Sequence, residues 1–237
     1  MAYSRYAYAA QLCGERDVLE IGCGAGLGLG CLSRRARTVV AGDFTANLLR
    51  VAKHQYGSNI PLVRFDAHLL PFREASFDVT ILFEAIYYLA DPFRVFDECR
   101  RVLKENGLLL ICTVNRTWRD FNPSPLSTRY LDAGELGHAL ACRGFDTDLL
   151  GAFSAAPSSP RAAVIGLLKR CAVAAGLIPK TMVGKQALKR MFLGPLIDMP
   201  ATLDDGLVPY EMPRPVVLGD TGQFKVIFAV AKRRRHS

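Results

Sequence analysis

No run of about 18 uninterrupted apolar residues occurs in this chain, and no charged leader followed by an apolar stretch opens it. Neither a membrane-spanning helix nor export is therefore expected, and the cytoplasm is the expected compartment. Paired cysteines are lacking too. The seven present, Cys13, Cys23, Cys31, Cys99, Cys112, Cys142 and Cys171, form no Cys-x-x-Cys pair and have no histidine at ligand spacing. That argues against a disulfide framework and against a zinc site, so no metal ligands are assigned. The cysteines read as small buried apolar residues, and Cys23 alone has a functional alternative, because of the glycine turn it lies in.

The first two thirds of the chain also lack any surplus of charge. Through Phe153 there are 17 Lys and Arg against 17 Asp and Glu, and the whole +8 formal charge lies beyond, where 13 face 5. An anionic partner is expected for that last third, such as a phosphorylated substrate, an acidic lipid surface or nucleic acid. Half of the 237 residues are apolar, enough for one domain of ordinary size with an inserted subdomain.

What the chain does have is Val18-Leu19-Glu20-Ile21-Gly22-Cys23-Gly24-Ala25-Gly26, an apolar run with an acidic residue, then glycine at every second position. It reads as a buried strand breaking into a tight turn that lets the backbone pass close to a nucleotide-like ligand, with a helix from about Gly28 to about Ala36 behind it. Residues 38–42 read as a second strand ending in Asp43, roughly 20 positions beyond the turn, where a carboxylate can accept both hydroxyls of a ribose. Phe44 would set an apolar face beside the base. A helix over 45–56 leads to a third strand at 62–65. Asp66 at its tip can accept from an adenine amino group, Ala67 leaves room for the ring, and His68 reads as a polar loop residue. The fourth strand is 77–84, followed by a helix over 93–103, an Asn106-Gly107 stop and a fifth strand at 108–113. Residues 114–130 form a polar and aromatic loop, 131–143 a helix, 146–153 a sixth strand and 223–230 the last. The fold class is α/β: a Rossmann-like, doubly wound, seven-stranded sheet, mostly parallel with an antiparallel edge strand.

Five ordered features, Glu20 through Gly26, Asp43, Asp66-Ala67 before Leu-Pro-Phe, Ser76-Phe77-Asp78-Val79, and Arg101-Val102-Leu103-Lys104 with Gly107, make residues 15–115 resemble the small-molecule branch of the class I S-adenosylmethionine (SAM) methyltransferases. The resemblance implies SAM as cofactor and S-adenosylhomocysteine as product. It assigns Glu20, Gly22, Cys23, Gly24, Gly26, Asp43, Phe44, Asp66, Ala67 and Phe83 to the cofactor site. It also implies that a helix over 3–11 lids the cofactor, with Arg5 or Tyr6 near the methionine carboxylate. Where many relatives carry Glu-His, this chain has Tyr87-Tyr88, so a histidine base is absent there. Metal-independent O-methylation is expected, with Tyr88 or a residue of the 115–130 loop orienting the acceptor hydroxyl.

Two other classes fit the sequence less well. A nicotinamide oxidoreductase would want Gly-x-Gly-x-x-Gly and, in the short-chain group, Tyr-x-x-x-Lys, yet none of the eight tyrosines has Lys four residues on. A non-catalytic SAM-binding or nucleic-acid-binding module is favoured by the basic last third, but no interleaved aromatic and basic strand surface supports specific nucleic-acid recognition. The chain divides into a core at 1–153, a helical and loop insertion at 154–222, and a final strand with a basic tail at 223–237. Within the insertion, 161–176 and 180–192 show helical apolar spacing with basic residues between. Their apolar stripes either pack simply on the sheet's own helices or serve one of three roles: a cap over a small-molecule or lipid- or carrier-linked acceptor, peripheral contact with an anionic membrane, or a dimer face, the oligomeric state being left open. The tail 232–235 is expected to be a solvated end.

Overall fold

Val18, Leu19 and Ile21 are stiff or bulky apolar residues that bury almost completely, which makes β1 (Asp17–Ile21) an interior strand of the sheet. In this computed structural model, residues 1–156, 203, 209–217, 219 and 221–235 are described. The elements in chain order are α1 (Ala2–Leu12), β1, α2 (Leu29–Ser33), β2 (Thr38–Asp43), α3 (Ala46–Tyr56), β3 (Leu62–Arg64), β4 (Phe77–Phe83), α4 (Pro92–Val102), β5 (Leu103–Val114), α5 (Ala133–Ala141), β6 (Phe145–Ser154), β7 (Arg214–Pro215) and β8 (Phe224–Arg233). The expected helices at 161–176 and 180–192, with most of the 154–222 insertion, lie outside the described residues.

The sheet order is β3-β2-β1-β4-β5-β8-β6-β7. Pairing is parallel from β3 to β5, and β8 runs antiparallel to both β5 and β6. This is the expected α/β sheet, with two refinements. The long antiparallel strand sits inside the sheet rather than at its rim, and a two-residue β7 extends the rim beyond β6.

Because alternate residues of a strand face opposite ways, each strand feeds two cores. Val18, Val39, Ile81, Leu110 and Phe228 pack with Ala9, Leu29 and Leu49 of α1, α2 and α3. Leu19, Ile21, Leu82, Leu109 and Ile111 pack with Val95, Phe96, Leu136 and Leu140 of α4 and α5. Helices therefore cover both faces, as a parallel sheet buried on both sides requires. Among the described residues, no helix is long and apolar enough to cross a membrane.

Four boundaries moved from their expected places. α2 ends at Ser33, and the chain continues to Ala36 as turns closed onto Leu32. α4 starts where Asp91 accepts from the Phe93 and Arg94 N–H groups with Pro92 behind it, and Leu103 passes directly into β5. α5 is shorter than 131–143 because Asp132 and Glu135 form a reciprocal capping box that fixes its start. The basic tail is not simply solvated. Lys232 and Arg233 are ladder residues of β8, and Arg234 Nε donates to Asp146 Oδ1 at 2.7 Å.

Candidate functional site

The turn after β1 is tied to the end of β2, since Gly22 N and Cys23 N both donate to Gly42 O, at 2.8 and 3.1 Å. Gly22, Gly24 and Gly26 all have positive φ, at 76°, 57° and 84°, a region that disfavours any Cβ. Their surroundings differ. A Cβ on Gly22 would meet Ala85 at 2.9 Å, and one on Gly26 would meet Tyr56, Ala52 and Leu29 at 3.0–3.1 Å, whereas a Cβ on Gly24 would meet nothing within 4 Å. Two of the glycines are packing positions, and the third borders open space. Tyr56 buttresses the turn by donating to Gly26 O at 2.9 Å and accepting from Gly30 N at 3.1 Å.

Four carboxylates gather at this end of the sheet. Asp43, the last residue of β2, accepts from Gly24 N on Oδ2 at 2.9 Å and from Thr45 N on Oδ1 at 2.7 Å, so its plane is set by backbone. Each oxygen keeps a further lone pair for a ribose hydroxyl. Glu20 is 1% exposed and accepts the Tyr6 hydroxyl hydrogen on Oε1, while Oε2 is buried with no partner. Burial first, and Asp43 second, push its carboxyl up to about 7 against the opposing Tyr6 bond. Asp66 lies beyond the β3 tip and is held below the usual carboxylate range, chiefly by the His68 backbone N–H. Glu84 follows β4 at φ 53°, a conformation few non-glycine residues adopt, and such strain gathers at functional sites. Its Oε1 pairs with Arg5 Nη2 at 3.2 Å and its Oε2 accepts from the Tyr87 hydroxyl at 2.9 Å.

The remaining expected residues fall into two groups. Phe44 is 66% exposed, with the Arg64 guanidinium 5.8 Å from its ring centre, and Ala67 is half-buried against the core. Phe83, by contrast, is buried with its ring against Tyr6 and Phe228, at 5.4 and 6.1 Å between centres, so protein already covers its faces. Cys23 Sγ is buried near Gly24 O, and burial pushes the thiol up, which makes it packing at the turn rather than a nucleophile. Tyr88 is half-exposed and its ring lies 4.6 Å from that of Tyr87.

Sequence reasoning missed the Arg5–Glu84–Tyr87 chain, which joins α1 to the loop after β4. It also missed how the 115–130 loop folds back: Thr128 N donates to Tyr87 O at 2.8 Å, and Tyr130 stacks on Tyr87 at 4.7 Å with Phe121 against its edge. The adjacent Tyr87 and Tyr88 and the aromatic residues Phe121 and Tyr130 of the later loop were the signal in the sequence. Tyr88 and the 115–130 loop, expected on the acceptor side, thus share one aromatic wall.

The residues present fit a SAM-like ligand. Such a ligand needs a close-approach gap, a ribose acceptor and polar atoms for an amino-acid zwitterion. The open space over Gly24, the backbone-held Asp43, the orphaned acceptor Glu20 Oε2 and the buried, unpartnered donor Arg5 Nε supply these in turn. Among the described residues, no group of three or more side chains could hold a metal ion.

Comparison with known proteins points the same way. The methyltransferase domain family matches residues 19–111. A probable S-adenosylmethionine-dependent methyltransferase of Mycobacterium tuberculosis is 37% identical over 153 residues, 62% of this chain and 56% of that protein. The ubiquinone biosynthesis O-methyltransferase of Xylella fastidiosa is 33% identical over 118 residues, 48% of each chain. The chain thus spans about half the length of the curated relatives it matches. In fold, it is similar to a Thermotoga maritima SAM-dependent methyltransferase titled a possible histamine N-methyltransferase, with TM-score 0.63 at 16% identity, covering 98% of this chain and 89% of that one.

Proposed function

We propose that this protein, whose residues 19–111 match the methyltransferase domain family, is a class I SAM-dependent methyltransferase that methylates a hydroxyl of a small-molecule or carrier-linked acceptor, in natural-product or glycan metabolism. SAM, when bound, supplies a methyl group activated on sulfonium. The chain's residues then have to hold the donor, align the acceptor and exclude water. Gly24 admits the donor, Asp43 accepts its ribose hydroxyls, Asp66 receives the adenine amino group, and Glu20 with Arg5 meets the amino-acid end. The observation that carries this reading is Asp43 locked by Gly24 N and Thr45 N beside the open face of Gly24.

On the acceptor side, Tyr88 and the 115–130 loop orient the hydroxyl. The ubiquinone O-methyltransferase relatives support oxygen as the methylated atom. The test is incubation of the protein with SAM and hydroxylated acceptors from its source, read by mass spectrometry. A product heavier by one CH2 unit, with S-adenosylhomocysteine released, is expected. Tight SAM binding without turnover of any acceptor would instead favour a non-catalytic binding module, and no SAM binding at all would end the reading.

A further inference from the structure

Asp66 has a side chain 56% exposed, and a carboxylate that free to turn is poorly suited to reading one amino group. In this structure it is not free. His68 Nδ1 lies 2.5 Å from Asp66 Oδ1, and the His68 backbone N–H donates to the same oxygen at 2.9 Å. The far side of the ring is anchored as well, since Asp91 N donates to His68 Nε2 at 3.1 Å. A backbone N–H can only donate, so Nε2 is the bare nitrogen and Nδ1 carries the hydrogen, which it gives to Asp66. Arg94 Nε holds the His68 carbonyl at 3.0 Å, and Leu70 and Phe72 are pinned by Glu98 and Arg101. Oδ1 is therefore doubly occupied, while Oδ2 has no hydrogen-bond partner among the described residues.

From this geometry we infer that His68 is a positioning residue that turns Asp66 so that Oδ2 faces the exocyclic amino group of an adenine-containing ligand. The inference rests on the cofactor reading above and deepens it. Through Asp91 the same ring ties the Asp66 loop to the cap of α4, the segment that follows the Tyr87-Tyr88 turn.

S-Inosylhomocysteine differs from S-adenosylhomocysteine by a carbonyl in place of that amino group, so it sets an acceptor against Oδ2. Calorimetric affinities for the two ligands give a preference ratio, which a general loss of structure would leave unchanged. The wild-type protein should prefer the adenosyl ligand by roughly ten- to a hundredfold, the range for a hydrogen bond to a charged group. His68→Ala should lose most of that preference, as Asp66→Ala should, while His68→Asn, whose amide nitrogen stands near the Nδ1 position, should keep it. Full preference in His68→Ala would overturn the inference and leave the cofactor reading standing, whereas no preference in the wild type would overturn the inference and remove Asp66 from the adenine, leaving only the rest of the cofactor reading. Binding of neither ligand to the wild type would overturn both. Should His68→Ala fail to fold, His68→Gln, which cannot place a donor at the Nδ1 position, carries the same expectation and the same overturning result.

Discussion

Tyr6 on α1 donates its hydroxyl hydrogen to Glu20 at the end of β1, 2.5 Å away. The contact closes the first helix over the glycine turn and leaves a buried carboxyl with one oxygen unpartnered. Because burial raises that carboxyl to about 7 from an ordinary 4.5, the folded state keeps the proton longer than the unfolded chain does. The associated stability is complete below about pH 4.5 and is lost as pH rises through about 7, an effect on the order of 3 kcal/mol. The ligand-free wild type should lose melting temperature across that window relative to Glu20→Gln. Parallel curves would show that Glu20 titrates normally.

Asp43→Ala should weaken S-adenosylhomocysteine binding by about 1.5–3 kcal/mol, since a charge-assisted acceptor is removed. It should also cost about 1 kcal/mol of stability, because the Gly24 and Thr45 N–H groups lose their acceptor. Calorimetry and denaturant titration separate the two. Undiminished affinity would remove Asp43 from the site.

Two glycines of the same turn should respond oppositely. A Cβ at Gly28 would fall 2.0 Å from the Tyr6 ring, so Gly28→Ala should displace α1 and raise proteolytic cleavage within residues 2–12. Gly24→Ala meets no atom within 4 Å, so it should cost only about 1 kcal/mol of backbone strain while strongly reducing ligand affinity. Equal ligand affinities for Gly24→Ala and wild type would mean that nothing passes over that turn.

The adjacent tyrosines divide in the same way. Tyr87→Phe takes a donor from Glu84 and should destabilise the fold by about 1–2 kcal/mol. Tyr88→Phe alters a half-exposed ring and should leave stability unchanged while lowering turnover. Unaltered turnover in Tyr88→Phe would take its hydroxyl out of the reaction.

Parts of this were legible in the chain itself. A buried strand followed by alternating glycines admits few conformations, and the acidic residue closing the next strand has to project from the same end of the sheet. Asp43 and the turn could therefore be placed together before any coordinates. The Asp132-to-Glu135 capping box was equally local and was overlooked. Arg5 and Glu84 were not legible, because 79 positions separate them and only the docking of α1 brings them within 3.2 Å. His68 looked like an ordinary loop residue because its two partners, Asp66 and Asp91, lie on different loops. The tail misled for a different reason. Its run of charges suggested solvent, yet a strand beside two others can leave such side chains at its rim while its backbone completes the ladder.

The position of β8 bears on how the molecule comes to be built. Leu108 of β5 pairs with Lys232, and Phe145 of β6 pairs with Arg233, so β5 and β6 are not ladder partners and are bridged in the sheet by a strand synthesised after both. During translation, β5 must wait with an unpaired edge while more than a hundred further residues are made. Such long-range closure slows folding and leaves a strand edge open to other chains meanwhile. Pairing of β8 thus converts two vulnerable edges into the interior of one sheet, and the parallel half that carries the proposed ligand site needs no part of that step to form its own pairings.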